Sequence, residues 1–123
     1  MATEQQQSYL VISTHFDREP DLAAVSLVVA NNALAAGSDV LIWLTSDAVE
    51  LAKKGEARRV QPPSFSNLGE LLDKYIGAGG RIGVCPPCAK THGVTDDNLI
   101  ANAAWMGAPA LLSEMQSRRT LSF

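Results

Sequence analysis

Cysteine and histidine are scarce in this sequence, because its 123 residues contain only two of each. A disulfide-rich framework is therefore excluded, and a chain of this length buries enough of its surface to fold without one. A closed structural zinc site takes four cysteine or histidine ligands, so it would have to use all four of these residues. The length suits one domain that spans residues 1–123.

Positive charge is not concentrated anywhere in the chain, which carries a net charge of −3. The two arginine pairs, Arg58-Arg59 and Arg118-Arg119, are isolated, and we interpret them as solvated surface charges. A nucleic-acid-binding surface needs a denser basic patch than these pairs provide. We therefore expect no nucleic-acid partner.

The sequence also has little that resembles a signal peptide or a membrane span. Residues 1–7 are polar, and the charge-free segment 22–38 contains Ser26 and Asn31. That segment is shorter than the ~20 residues that a membrane-spanning helix requires, which favours a buried helix that another subunit partly covers. We expect a cytoplasmic protein with no membrane partner, and there a close cysteine pair usually serves redox, metal or group-transfer chemistry.

Short apolar runs alternate with helical patterns along the chain. This alternation predicts an α/β fold, in which a parallel sheet carries helices on both faces. The predicted strands are 8–13, 39–44, 81–84, 103–106 and 120–123. The predicted helices are 20–36, 48–54, 68–76, 96–101 and 110–116, with a further short helical segment after Cys88.

The two cysteines lie three residues apart in the motif Cys85-Pro86-Pro87-Cys88, between a predicted strand and the short helical segment. Cys85 occupies the position of a helix cap, where free backbone amides lower the pKa of a thiol below its ordinary value of about 8.5. The prolines have no N–H group, so the first available amides are those of Cys88 and Ala89. We therefore expect Cys85 to be the reactive sulfur and Cys88 to be partly shielded.

The cysteine pair could also belong to a zinc site, to a thioredoxin-like site or to the apolar core. A zinc ion would need His15 and His92 as its remaining ligands, since no second cysteine pair exists. Thioredoxin-like domains carry such a pair near the first strand–helix junction, whereas here it follows two strands and two longer helices. In the core, the two cysteines would be small, inert hydrophobic side chains.

Polar residues follow three of the predicted strands, at Thr14-His15, at Thr45-Ser46-Asp47 and at Cys85. In a parallel sheet these exits share one edge, which is where ligands bind in such folds. We take His15, Ser46 and His92 as candidate substrate-binding residues. Simpler roles remain open for each of them: an exposed loop residue for His15, a helix cap for Ser46, and a charge partner of a helix C-terminus for His92.

Three parts of the sequence form a recognisable pattern: the segment Ile82-Gly83-Val84-Cys85-Pro86-Pro87-Cys88-Ala89-Lys90-Thr91-His92-Gly93-Val94-Thr95, Leu99 downstream of it, and the ending Thr120-Leu121-Ser122-Phe123. Together they resemble the DsrE/DsrF-like family. This family includes sulfur-relay proteins. The resemblance implies a three-layer α/β/α domain around a mainly parallel five-stranded sheet. It also implies a homo- or hetero-oligomer, often a trimer or a hexamer, and we expect a homo-oligomer of one of these sizes. We expect no metal or other cofactor.

The resemblance assigns a role to one cysteine in particular. In the relay members, a cysteine eight residues before a helix-ending glycine carries sulfur as a persulfide. Cys85 stands in that position relative to Gly93, and Cys88 is an addition to the pattern. Relay members commonly have arginine before the glycine, where this chain has His92.

The leading functional hypothesis is a sulfur carrier whose donor and acceptor are other proteins. The Cys85 thiolate would attack the outer sulfur of a donor persulfide, hold it, and pass it to a partner's thiol. Cys88 would release the sulfur by attacking Cys85, which leaves a disulfide. The alternatives are a dithiol–disulfide redox protein or sensor that uses Cys85 and Cys88, and an oligomeric binding module without catalysis; whether the chain is an enzyme stays open.

Overall fold

The computed structural model describes residues 6–123, so most of the polar stretch 1–7 lies outside the described residues. The strands are β1 (Ser8–Ser13), β2 (Asp39–Leu44), β3 (Arg81–Val84), β4 (Ala103–Trp105) and β5 (Arg119–Ser122). The helices are α1 (Pro20–Ala35), α2 (Leu68–Gly77), α3 (Pro86–Thr91) and α4 (Ala108–Met115). Two 3₁₀ segments, Ser46–Ala52 and Ala57–Arg59, lie between β2 and α2.

The five strands form one sheet in the order β4-β3-β2-β1-β5, and each neighbouring pair is parallel. The predicted α/β class with a parallel five-stranded sheet is therefore confirmed. Because every strand runs in the same direction, all five carboxyl ends lie along one edge of the sheet. This arrangement brings the polar strand exits to the same side of the molecule.

Alternation along the strands divides the apolar side chains between the two faces of the sheet. One face packs with α1 and α2 into the main core, to which Val11, Ile42 and Val84 contribute. The other face is covered by α4, whose Leu111 packs on Leu10 and Leu41. Helices thus lie on both faces, although the layer that contains α4 is much thinner.

The ends of the longer helices follow from local chemistry. Pro20 opens α1, and Gly37, which follows the helix, adopts the left-handed φ of 90° that glycine accepts readily. Asn67 caps α2, because its side-chain oxygen accepts a hydrogen bond from the amide of Gly69 at 2.7 Å. Among residues 6–123, no helix is long and apolar enough to cross a membrane.

Two predicted helices are wrong in detail. The segment predicted as helix 48–54 is the 3₁₀ segment Ser46–Ala52. Backbone hydrogen bonds to other parts of the chain fix its two ends: the Thr45 amide donates to the Ser13 carbonyl, and the Ile100 amide donates to the Ala52 carbonyl. The predicted helix 96–101 is absent from the described chain. There the Asn98 side chain accepts from the Thr95 amide at 2.8 Å and donates to the Gly93 carbonyl at 2.9 Å, which closes a turn instead.

Arg118 is a structural residue and not the solvated surface charge that the sequence suggested. Its side chain is only 5% exposed and pairs with Asp39 at 2.9 Å and with Glu114 at 2.7 Å. It also donates to the backbone oxygens of Tyr9 and Asp39. Arg118 therefore ties the segment between α4 and β5 to the beginnings of β1 and β2.

We expect Arg118→Ala to lower the free energy of unfolding by about 1.5–3 kcal/mol, because charge-assisted hydrogen bonds at a buried site are lost. Arg119→Ala is the matched control, since Arg119 is exposed and makes no ion pair with residues 6–123. Its effect should stay within ~0.5 kcal/mol. Urea unfolding of the two variants measures the difference, and equal effects would contradict this role of Arg118.

Candidate functional site

The register of the sheet places the second and third strand exits side by side. Leu44 pairs with Val84, so Thr45 and Cys85 are the next residues on neighbouring strands. The amide of Cys85 donates to the carbonyl of Leu44 at 2.9 Å, and the amide of Thr45 donates to the carbonyl of Ser13 at 3.1 Å. The exits of β1, β2 and β3 therefore meet at one edge, as the sequence predicted.

The two cysteines face each other at this edge as free, partly buried thiols. Pro86 and Pro87 begin α3, and one turn of helix returns Cys88 to the side of Cys85. The two Sγ atoms lie 3.4 Å apart, with Cys85 as the donor to Cys88. A modest movement of either side chain would bring the sulfurs to bonding distance.

Cys85 differs from the expectation in its contacts. Although it is the N-terminal cap of α3, its side chain makes no capping hydrogen bond to the described residues. The prolines at the start of the helix remove two of the amides that could donate to a capping side chain, and the Cys85 sulfur turns toward Cys88 instead. The stabilising amides predicted for Cys85 are therefore not in contact with it.

The hydrogen-bond donors of the site converge on Cys88. The Thr45 hydroxyl lies 3.5 Å from its sulfur, and the Cys85 thiol donates to it at 3.4 Å. Chiefly through the Thr45 hydroxyl, and with a contribution from the Ser46 backbone, the site holds the pKa of Cys88 below the ordinary value of a thiol, against the opposing effect of burial. The site thus stabilises the thiolate of the residue that was expected to be the shielded partner.

Ser46 contributes its backbone to the site. Its side chain is exposed, and the 3₁₀ segment that begins there has no side-chain cap within the described chain, so the capping role considered for Ser46 is not found. Its φ of 53° lies in the left-handed region, which is uncommon for a residue with a side chain. This sharp turn directly after Thr45 leaves the Ser46 backbone close enough to help lower the pKa of Cys88.

His92 lies between two carboxylates on the 3₁₀ segment. Its Nδ1 is 3.0 Å from Glu50 Oε2, and its Nε2 is 3.5 Å from Asp47 Oδ1. Arg18 binds Asp47 with two hydrogen bonds of 3.0 Å, and this guanidinium is the main reason that the pKa of Asp47 is lowered. His92 therefore joins α3 to the 3₁₀ segment, and it makes no hydrogen bond to either sulfur within residues 6–123.

His15 lies on the same edge and is oriented by its neighbour. Its Nδ1 is 2.9 Å from the Thr14 hydroxyl, which in turn donates to the backbone oxygen of Phe123 at 2.8 Å. Because the Thr14 proton is used in the second bond, Nδ1 of His15 must be the donor in the first. A neutral His15 then has Nε2 available as an acceptor.

Two residues of this cluster were missed by sequence reasoning, Arg18 and Glu50, because nothing in the sequence distinguishes them from solvated charges. Thr45 was expected at this edge, because it directly follows a strand, but no role was assigned to it. Within residues 6–123, no group of three or more His, Cys, Asp or Glu side chains is placed to hold a metal ion.

We expect the thiol of Cys88 to react with iodoacetamide at lower pH than a free cysteine. In a Cys85→Ser variant, which keeps a hydroxyl donor beside Cys88, the midpoint of the rate–pH profile should lie below about 8.5. The Cys88→Ser variant reports Cys85 under the same conditions. Slow alkylation of both cysteines with midpoints at or above ~8.5 would contradict an activated site and support the inert binding module.

Comparison with known proteins relates this chain to several archaeal sequences. It is 32% identical over 103 residues to the uncharacterized protein MJ0760 of Methanocaldococcus jannaschii and 36% identical over 78 residues to the uncharacterized protein MK0008 of Methanopyrus kandleri. These matches cover 84% and 63% of this chain, but only 38% and 61% of those proteins. The uncharacterized protein MJ0989 of Methanocaldococcus jannaschii is 34% identical over 95 residues, which cover 77% of this chain and 80% of that protein.

The fold is similar to that of the ychN protein from E. coli, whose crystal structure matches with a TM-score of 0.75 at 20% identity. That match covers 97% of this chain and 100% of the other. A protein of unknown function from Bacteroides thetaiotaomicron, BT1422, matches with a TM-score of 0.66 at 17% identity, over 95% of each chain. The model of the DsrE/DsrF-like family matches residues 7–123, and the chain belongs to that family.

Proposed function

We propose that this chain is a sulfur carrier that holds sulfane sulfur as a persulfide on Cys85 and passes it to the thiol of a partner protein. The family to which the chain belongs is associated with sulfur relay. The observation that carries the proposal is the pair of free thiols with sulfurs 3.4 Å apart at the carboxyl edge of the sheet.

Loading begins when the Cys85 thiolate attacks the outer sulfur of a donor persulfide, R–S–SH. A bond forms between Cys85 Sγ and that sulfur, the S–S bond of the donor breaks, and R–S⁻ leaves and takes up a proton. Cys88 is placed to accept the Cys85 proton, because the Cys85 thiol already donates toward the Cys88 sulfur. The thiol of the acceptor protein then attacks the outer sulfur and returns Cys85 to a thiol.

The edge that carries the sulfurs supplies polar groups for a bound donor or acceptor. Of the candidate substrate-binding residues, His15 and Ser46 follow β1 and β2 at this edge, and His92 lies at the C-terminal end of α3. The Nε2 atom of His15 and the exposed Ser46 hydroxyl are available to a partner chain. His92 acts through the carboxylates of Asp47 and Glu50 that it holds in place.

We expect a Cys88→Ser variant incubated with cysteine hydropersulfide to gain the mass of one sulfur atom on Cys85. Without Cys88, the persulfide cannot be resolved within the site and should accumulate. Intact-protein mass spectrometry followed by peptide mapping measures the adduct, and Cys85→Ser is the control that should carry no sulfur at Cys85. The carrier function fails if neither the wild type nor Cys88→Ser gains sulfur.

A dithiol redox protein or sensor is the second candidate, because sulfurs 3.4 Å apart are equally well placed for direct disulfide formation. The same preparation distinguishes the two functions. A Cys85–Cys88 disulfide that forms reversibly at cytosolic glutathione potentials, in a protein that never takes up sulfur, would favour the redox function.

We also propose that the chain assembles into a homo-oligomer, a trimer or a hexamer. The thin layer over the second face of the sheet leaves apolar side chains exposed on α4: Leu112 is 61% exposed and Met115 is 39% exposed. These two residues are three positions apart and therefore lie on the same side of the helix. Leu121 on β5, at the edge of the sheet, is also 39% exposed.

We expect sedimentation velocity at micromolar concentration to give a species with a multiple of the 13.1 kDa chain mass. Leu112→Asp should shift the distribution toward smaller species, because it places a charge in the apolar contact. Ser113→Asp is the matched control, since Ser113 is exposed and polar, and should leave the distribution unchanged. A strictly monomeric wild-type protein would contradict the assembly.

A further inference from the structure

The Thr45 hydroxyl and the Cys88 sulfur, 3.5 Å apart, form the one side-chain hydrogen bond within residues 6–123 between the exit of β2 and the cysteine motif. We infer that Thr45 is a positioning residue that keeps Cys88 as a resolving thiolate, so that the persulfide on Cys85 is discharged inside the site as hydrosulfide. The inference rests on the proposed loading of Cys85. It adds a product, hydrosulfide, and a requirement for a reductant.

Thr45 is held firmly enough to position a sulfur atom. Its amide donates to Ser13 at 3.1 Å, and its carbonyl accepts the amide of Ala48 at 3.1 Å. The backbone is extended, with φ of −137° and ψ of 165°, and a β-branched side chain has few rotamers. The parallel register places this residue directly opposite Cys85, so the hydroxyl is fixed over the first turn of α3.

Ser46 adds to the surroundings of Cys88 through its backbone. The left-handed φ of 53° turns the chain immediately after Thr45, and the backbone at this turn helps to lower the pKa of Cys88. The Thr45 hydroxyl and the Cys85 thiol both lie within hydrogen-bonding distance of the Cys88 sulfur. Such an arrangement favours the thiolate over the thiol at Cys88.

The charged groups near Cys88 are already paired with one another. Asp47 and Glu50, on the 3₁₀ segment, face His92 of α3, and Asp47 also binds Arg18 from the loop after β1. Lys90 of α3 is exposed, and His15 bonds to Thr14. The uncharged Thr45 hydroxyl therefore makes the direct contact from the exit of β2 to the sulfur.

Discharge follows from attack by the Cys88 thiolate on Sγ of the Cys85 persulfide. The Cys85–Cys88 disulfide bond forms, the bond from Cys85 Sγ to the sulfane sulfur breaks, and HS⁻ leaves and takes up a proton. The sulfane sulfur gains two electrons, which the two cysteines supply as they are oxidised to the disulfide. The net reaction is R–S–SH plus two protein thiols, giving R–SH, the protein disulfide and H₂S.

The disulfide has to be reduced before the next cycle, and a dithiol reductant is the chemical class suited to this exchange. The site then stands between a reaction that generates persulfides and a reaction that consumes hydrosulfide. Passing sulfur to a partner thiol requires the partner to react before Cys88 does. Hydrosulfide is therefore the expected product when no acceptor protein is present.

Single-turnover discharge of cysteine hydropersulfide by the reduced protein, with no added reductant, tests this role. Wild type should release hydrosulfide in step with formation of the Cys85–Cys88 disulfide, and Cys88→Ser should retain the persulfide and release none. Thr45→Val, which keeps the shape but removes the hydroxyl, should discharge roughly tenfold more slowly at pH 7, with the midpoint of its rate–pH profile moved to higher pH. Thr45→Ser should restore both the rate and the midpoint.

Equal rates and equal midpoints for wild type and Thr45→Val would overturn the role of Thr45, and so would a wild type that loads Cys85 but releases no hydrosulfide. In either case, persulfide on Cys88→Ser would leave the carrier function intact. Absence of sulfur on both the wild type and Cys88→Ser, with no hydrosulfide released, would overturn both. The double variant Thr45→Val/Cys88→Ser controls for folding, since it should load Cys85 as well as Cys88→Ser does.

Discussion

The parallel register between β2 and β3 is the constraint on which the thiol site depends. Because Leu44 lies opposite Val84, the first residues after the two strands, Thr45 and Cys85, are neighbours. The bond from the Cys85 amide to the Leu44 carbonyl extends this pairing one residue beyond the strand. A slip of one residue in one of these strands would turn its exit side chain to the opposite face of the sheet and separate the hydroxyl from the sulfurs.

The two prolines and the 3₁₀ segment convert that register into an asymmetric pair of cysteines. The prolines start α3 without offering amides to Cys85, while the Thr45 hydroxyl, directly before the 3₁₀ segment, lies 3.5 Å from the Cys88 sulfur. His92 joins α3, which carries Cys88, to the carboxylates of Asp47 and Glu50 on the 3₁₀ segment. Helix α3 and the 3₁₀ segment are therefore held together by these contacts as well as by the contact of Thr45 with Cys88. The stabilised thiolate is consequently the second cysteine of the motif.

Much of the fold follows from local patterns. The five strands begin and end within one or two residues of the apolar runs in the sequence, and helices α1 and α2 follow Pro20 and the Asn67 cap closely. The failures lie where local pattern is weak. Residues 96–101 have a helix-like start, but the Asn98 side chain bonds to nearby backbone and closes a turn, and residues 46–52 are constrained at both ends by neighbouring chain.

By itself, the sequence determined the α/β class, the parallel sheet and the position of the cysteine motif at a strand exit. These features depend on the spacing of apolar residues and on turn residues, which are local properties of the chain. It also placed the polar exits on one edge, which follows from parallel strands alone. Only the tertiary structure decided which sulfur is stabilised, and that Arg118 is buried among partners while Arg119 is exposed. Those outcomes depend on contacts between residues that are far apart in the chain: Thr45 and Cys88 are separated by 43 positions, and Arg118 and Asp39 by 79 positions. No local pattern encodes such contacts.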